Sequence, residues 1–158
     1  YIYCENDFSD RLEKLLNAEE IKEAKGYINN ISVAREGRIA GKFGVNAMHD
    51  ITEGGVLGAL WEMAEAAGTG FKVHYDKMPI TAVTQKVCGA LKVDPLRFIS
   101  SGSMLIAAEN GDKLVKLLKS EGINAVIIGN ITESGGILVK EDVEIEVLPP
   151  ERDELFNI

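Results

Sequence analysis

Apolar positions along this chain switch between a helical period of three to four residues and a strand period of two. Leu12, Leu15 and Leu16, followed by Ile21, Ala24 and Ile28, predict two short amphipathic helices within the first thirty residues. Val33–Phe43 continues as a helix with Arg35, Arg38 and Lys42 on its polar side, and Gly44 is placed to stop it. A short apolar segment, Val45–Met48, runs into His49-Asp50-Ile51-Thr52-Glu53-Gly54-Gly55. The helical period then returns over Val56–Ala67, with Val56, Leu60, Met63 and Ala67 on one face and Leu57, Trp61 and Ala64 beside it, which predicts a largely buried helix. Gly68-Thr69-Gly70 ends it, and the alternation of Phe71, Val73 and Tyr75 predicts a half-buried strand.

A further helix is predicted over Thr81–Leu91, followed by the turn Asp94-Pro95. Ser100-Ser101-Gly102 opens an apolar strand, Ser103–Ala108, and Asp112–Ser120 is an amphipathic helix carrying Leu114, Leu117 and Leu118. Ala125–Ile131 and Ile137–Val139 read as strands around Ser134-Gly135-Gly136, and Val143, Ile145 and Val147 alternate in a last strand that Pro149-Pro150 stops. Strands here follow both helices and tight turns, which predicts an α+β fold with a mixed sheet and helices packed on it.

Length and charge narrow the picture. The chain of 158 residues suits a single core over residues 1–158, with residues 1–30 as a helical lead-in and 149–158 as a tail. With 46% apolar and 27% charged residues it is neither disordered, collagenous nor a disulfide-stapled miniprotein. A net charge of −8 repels a phosphate backbone, so nucleic acid is not an expected partner. No apolar run approaches the ~20 residues of a membrane span, and no export signal precedes the first helix. Cys4 and Cys88 belong to no CxxC pair, which suggests neither a disulfide framework nor a zinc site and fits a reducing cytoplasm; their own pairing stays open. The start at Tyr1 suggests a piece of a longer polypeptide, a processed end being the alternative.

One segment carries chemistry: a short strand, an acidic turn, two adjacent glycines and at once a long apolar helix. Helix N-termini present unpaired N–H groups and about half a positive charge, and glycine lets a ligand approach the backbone, so Gly54-Gly55 is placed to receive an anion such as phosphate. A structural reading stands beside it, in which Asp50 or Thr52 caps the helix and the glycines permit close packing. His49 abuts the turn either as a donor to phosphate or as a hydrogen-bonded histidine at a strand end. Asp50 and Glu53 oppose an anion there, unless Mg²⁺ or a basic group such as Lys42 or His49 neutralises them. Trp61 and Met63 read as core, and Lys113, Lys116 and Lys119 as a solvated helix face.

The run Ala47-Met48-His49-Asp50-Ile51-Thr52-Glu53-Gly54-Gly55-Val56-Leu57-Gly58-Ala59-Leu60 resembles the signature of the C-terminal domain of the aminoimidazole ribonucleotide (AIR) synthase superfamily. Asp94-Pro95, Ser100-Ser101-Gly102-Ser103-Met104-Leu105-Ile106 and Ile127-Ile128-Gly129-Asn130-Ile131-Thr132 follow in the order the family shows. The resemblance implies a three-layer α/β/α domain with a mixed sheet. It also implies a separate N-terminal domain that holds ATP and Mg²⁺, often across a homodimer interface, so neither cofactor is expected on this chain alone. What carries over is the substrate side: Asp50, Thr52, Gly54 and Gly55, with Ser101 and Gly102 on a second loop. The implied role is the acceptor wall, for a small-molecule substrate, of an enzyme that phosphorylates an amide or similar oxygen, the fragment being inactive alone. The alternative is a non-catalytic module of the same fold that binds an anion or a protein. Members resembling the hydrogenase maturation dehydratase come nearest, but Ile51 and Glu53 replace that group's Pro and Arg. The chain also ends Leu155-Phe156-Asn157-Ile158 without its terminal cysteine, so the dehydratase chemistry is not assigned.

Overall fold

The structure, a computed structural model, describes Leu12, residues 14–150 and residues 153–157. Its helices are α1 (Ala18–Gly26), α2 (Ala34–Phe43), α3 (Gly55–Ala67), α4 (Ala82–Leu91) and α5 (Gly111–Ser120). Its strands are β1 (Ala47–Ile51), β2 (Gly70–His74), β3 (Ser103–Ala107), β4 (Gly129–Thr132), β5 (Gly136–Lys140) and β6 (Val143–Glu146). The mixed α/β fold agrees with the expectation. The strands divide between an antiparallel ribbon, β1–β3, and a four-stranded mixed sheet in the order β4-β2-β5-β6, in which only β2 and β5 run parallel.

Local chemistry sets the helix ends. Asn17 accepts the N–H groups of Glu19 and Glu20 at 3.0 Å, and Glu20 returns a carboxylate to the Asn17 N–H, a capping box that starts α1. Gly44 and Gly68 end α2 and α3 in the left-handed conformation, as their positions in the sequence foretold. Thr81 caps α4 by accepting the Thr84 N–H at 3.2 Å.

Two apolar clusters hold these elements. Leu57, Leu60 and Ala64 of α3 bury against Phe71 and Val73 of β2, Leu138 of β5, Leu96 and Val147. The helix touches β1 and β3 as well as β2, which explains why six of its residues are buried. The buried stripe is rotated from the expected one, however. Met63 is half-buried, Ala67 is exposed, and half-buried Trp61 spends its indole N–H on Glu65 at 3.1 Å. In the second cluster Leu12, Leu16 and Ala24 pack with Val83, Cys88 and Leu91 of α4, so the lead-in contributes to the domain's own core. Leu15, expected on the same face, is exposed.

The ribbon is the element that carries the candidate site. Alternation puts Met48 and Met104 toward α2, where a Cβ on Gly37 or Gly41 would meet their side chains at 3.3–3.9 Å, and Ile51 and Leu105 on the opposite, α3-facing side. Elsewhere the alternation misleads. Ala125–Ile128 is irregular, and every residue of β6 is exposed because it forms a sheet edge with only Val147 beyond it turned inward. Glu144 and Glu146 blunt that edge with charge. The β5–β6 connection has two residues, Glu141 and Asp142, both at positive φ, the geometry of a primed turn matched to strand twist.

Candidate functional site

β1 ends at buried Ile51 and the chain turns through exposed Thr52 and Glu53 into α3. Gly54 and Gly55 both adopt left-handed backbone, with φ of 76° and 63°. A Cβ on Gly55 would stand 2.5 Å from the carbonyl oxygen of Leu96 and 2.8 Å from that of Phe98, so no side chain fits. The Leu57 N–H donates to that same Leu96 oxygen at 3.0 Å, which fixes the helix entrance against the segment before Ser100. The Thr52 carbonyl accepts from both Gly55 and Ser100, each at 3.3 Å, and Ile51 pairs with Ser103 in the ribbon. The Ser100–Gly102 loop is thereby tied to the residue that opens the glycine turn, and Ser101 and Thr52 are both exposed. Gly102, at φ 97°, lies so close to the carbonyl of Asn30 that a Cβ would overlap it; its glycine serves packing of this loop.

The structure therefore gathers Thr52, Gly54, Gly55 and the Ser101–Gly102 loop. It places the remaining candidates otherwise. By alternation Asp50 shares the α2-facing side of the ribbon with Met48, and its side chain is exposed; Glu53 is exposed at the turn. His49 crosses toward α3, where Nε2 lies 2.8 Å from a Glu62 carboxylate oxygen and Nδ1 lies 2.6 Å from the Asp50 carbonyl. Both partners are acceptors, so a ring with one proton satisfies one of them at a time. Its bonding is that of a histidine tying a strand to a helix. Lys42 sits in the last turn of α2 and lines a groove with Ile39, Phe43, Leu117 and Glu121, away from the turn.

The residue absent from the sequence expectations is Asp153. It is only 5% exposed, and its Oδ2 accepts the Gly54 N–H at 2.5 Å, while Oδ1 accepts the Leu155 N–H at 2.6 Å. A carboxylate at a helix N-terminus is electrostatically favoured, and two charge-assisted bonds offset its burial. Neither Asp50 nor Thr52 supplies the cap that the structural reading assigned to them; Asp153 does. No local signal announces it, since Asp153 and Gly54 are 99 positions apart.

Among the described residues no group of three or more His, Cys, Asp or Glu side chains converges to hold a metal ion. No helix among the described residues is long and apolar enough to cross a membrane. Cys88 is a free thiol buried in the α4 cluster, and Cys4 lies outside the described residues.

The arrangement of ribbon, glycine turn and buried helix has known counterparts. The family described as AIR synthase related protein, C-terminal domain, matches residues 6–141. The chain belongs to this family. A protein of Methanocaldococcus jannaschii named for hydrogenase expression and formation is 37% identical over 101 residues, covering 61% of this chain and 30% of its own length. Carbamoyl dehydratase HypE of Escherichia coli is 33% identical over 98 residues, covering 60% of this chain and 29% of its own. The crystal structure of E. coli HypE, a hydrogenase maturation protein, superposes with a TM-score of 0.63 at 30% identity, over 69% of this chain and 36% of that one. This AIR synthase-related chain thus spans about three-tenths of the length of those curated relatives.

Proposed function

We propose that this chain is the acceptor-substrate side of an ATP-dependent, AIR synthase-related enzyme that activates an amide-type oxygen by phosphorylation. One observation carries the reading: the Thr52 carbonyl, bonded to both Gly55 and Ser100, joins two loops into one edge at the entrance of a buried helix. That edge offers the exposed hydroxyl-bearing residues Thr52 and Ser101 to an acceptor group. Likeness to a carbamoyl dehydratase favours a carbamoyl or other amide as the acceptor. A phosphorylated amide oxygen is a leaving group that a nucleophile displaces, and such chemistry depends on positioning and charge neutralisation. The role of this chain is to hold and orient the acceptor. ATP and Mg²⁺ belong in this reading to a separate nucleotide domain of the same protein, in a homodimer.

The test is calorimetric titration of Mg-ATP into the 158-residue chain. The expected result is no binding in the micromolar range, because the clamp for the β- and γ-phosphates lies elsewhere. Saturable one-to-one heat would overturn the division of labour.

A further inference from the structure

After β6 the chain buries Val147 in the core, exposes Leu148 and runs through Pro149-Pro150 back across the start of α3. Pro150 lies over the glycine turn: a Cβ on Gly54 would meet the Pro150 Cβ at 3.7 Å, and one on Gly58 would meet its Cγ at 3.9 Å. Buried Asp153 then takes the Gly54 N–H, Glu154 donates its N–H to the Arg97 carbonyl at 3.3 Å, and Leu155 packs on the cluster built by α4. These contacts reach three separate places in the fold.

We propose that Pro149-Pro150 and residues 153–156 form a latch over the acceptor site, closed by Asp153, whose carboxylate occupies the position at Gly54 that an acceptor's anionic group would take. The competition rests on the reading of the glycine turn as an anion seat; the closure does not. Two anions cannot share the single Gly54 N–H, and each repels the other at contact distance. A tethered carboxylate competes at an effective concentration on the order of millimolar, so a free anion well below that leaves the latch closed. Exposed Glu53 at the turn adds to the same repulsion. Opening therefore requires an acceptor with further contacts, such as those offered by Thr52 and Ser101, or a partner surface that draws the segment away.

The experiment compares the 158-residue chain with Asp153→Ala and the isosteric Asp153→Asn. Hydrogen exchange at the Gly54 amide is followed first, then its NMR shift during titration with inorganic phosphate. Exchange at Gly54 is expected to rise roughly tenfold or more in the Ala variant and less in the Asn variant, which keeps a neutral acceptor. Phosphate is expected to move the Gly54 resonance in the variants at concentrations that leave the wild type unmoved. Unchanged exchange in both variants overturns the latch, and so does a phosphate response as strong in wild type as in Asp153→Ala. Faster exchange with no phosphate response in any protein confirms the latch and removes the anion seat beneath it.

Discussion

Gly55 and Gly68 provide a matched pair for asking what the glycine turn requires. Both have φ of 63°, at opposite ends of the same helix. A Cβ on Gly68 meets nothing within 4 Å, whereas one on Gly55 falls 2.5 Å from the Leu96 oxygen and 2.8 Å from the Phe98 oxygen. Alanine at Gly68 therefore bears only the left-handed backbone cost, about 1–2 kcal/mol. Alanine at Gly55 bears the same cost and also pushes apart two backbone carbonyls that have no rotamer to yield. The Leu96 carbonyl is the one that receives the Leu57 N–H at 3.0 Å, so relief of the clash breaks that bond and strands a buried donor, for about 1–3 kcal/mol more. Urea unfolding of the two variants should separate them by about 2 kcal/mol, or about 4–8 °C in Tm for a chain of this size. Equal destabilisation would show that the turn and the Leu96–Phe98 segment are not in contact, and the site geometry would fall with it.

Other expectations follow from the cores and the buried thiol. Leu60→Ala should cost about 2–5 kcal/mol in denaturant unfolding, and half-buried Met63 clearly less; a cost at Met63 as large as that at Leu60 would restore the expected helix face, which held both. Burial, and then the Asp94 carboxylate, push the Cys88 thiol up to about 11 from its usual 9.0. The folded chain then keeps a proton that the unfolded chain releases above pH 9, so stability falls as pH rises from 9 to 11, by about 2–3 kcal/mol in all. The stability difference between wild type and Cys88→Ala should shrink over that interval, and a difference independent of pH would contradict the shift.

Much of this fold was legible because its signals are local. Gly44, Gly68 and Thr81 mark helix ends through backbone conformation and capping, and the periods of α2 and α5 follow from one-sided burial. The exceptions depend on tertiary context. The stripe of α3 is rotated because β1, β3 and β2 all touch it, so more than one side is apolar and period alone does not choose among them. Val143 and Ile145 alternate with acids as a half-buried strand does, yet β6 lies at an edge where neither side is covered. In the candidate site, the bond from the Ser100 N–H to the Thr52 carbonyl joins segments 48 positions apart, which no local period announces. Asp153 escaped because its partner lies at the far end of the chain, and a carboxylate beyond two prolines carries no mark of where it lands.

The central claim, that this chain holds the acceptor and not the nucleotide, is tested most directly by steady-state kinetics of the protein that joins it to its nucleotide domain. Thr52→Ala and Ser101→Ala remove exposed hydroxyls without touching either core. With a carbamoyl-bearing acceptor, each is expected to raise the acceptor KM roughly two- to tenfold, the equivalent of one hydrogen bond, and to leave the KM for ATP unchanged. A rise in the KM for ATP with the acceptor KM unmoved would place the nucleotide at this turn and contradict the account.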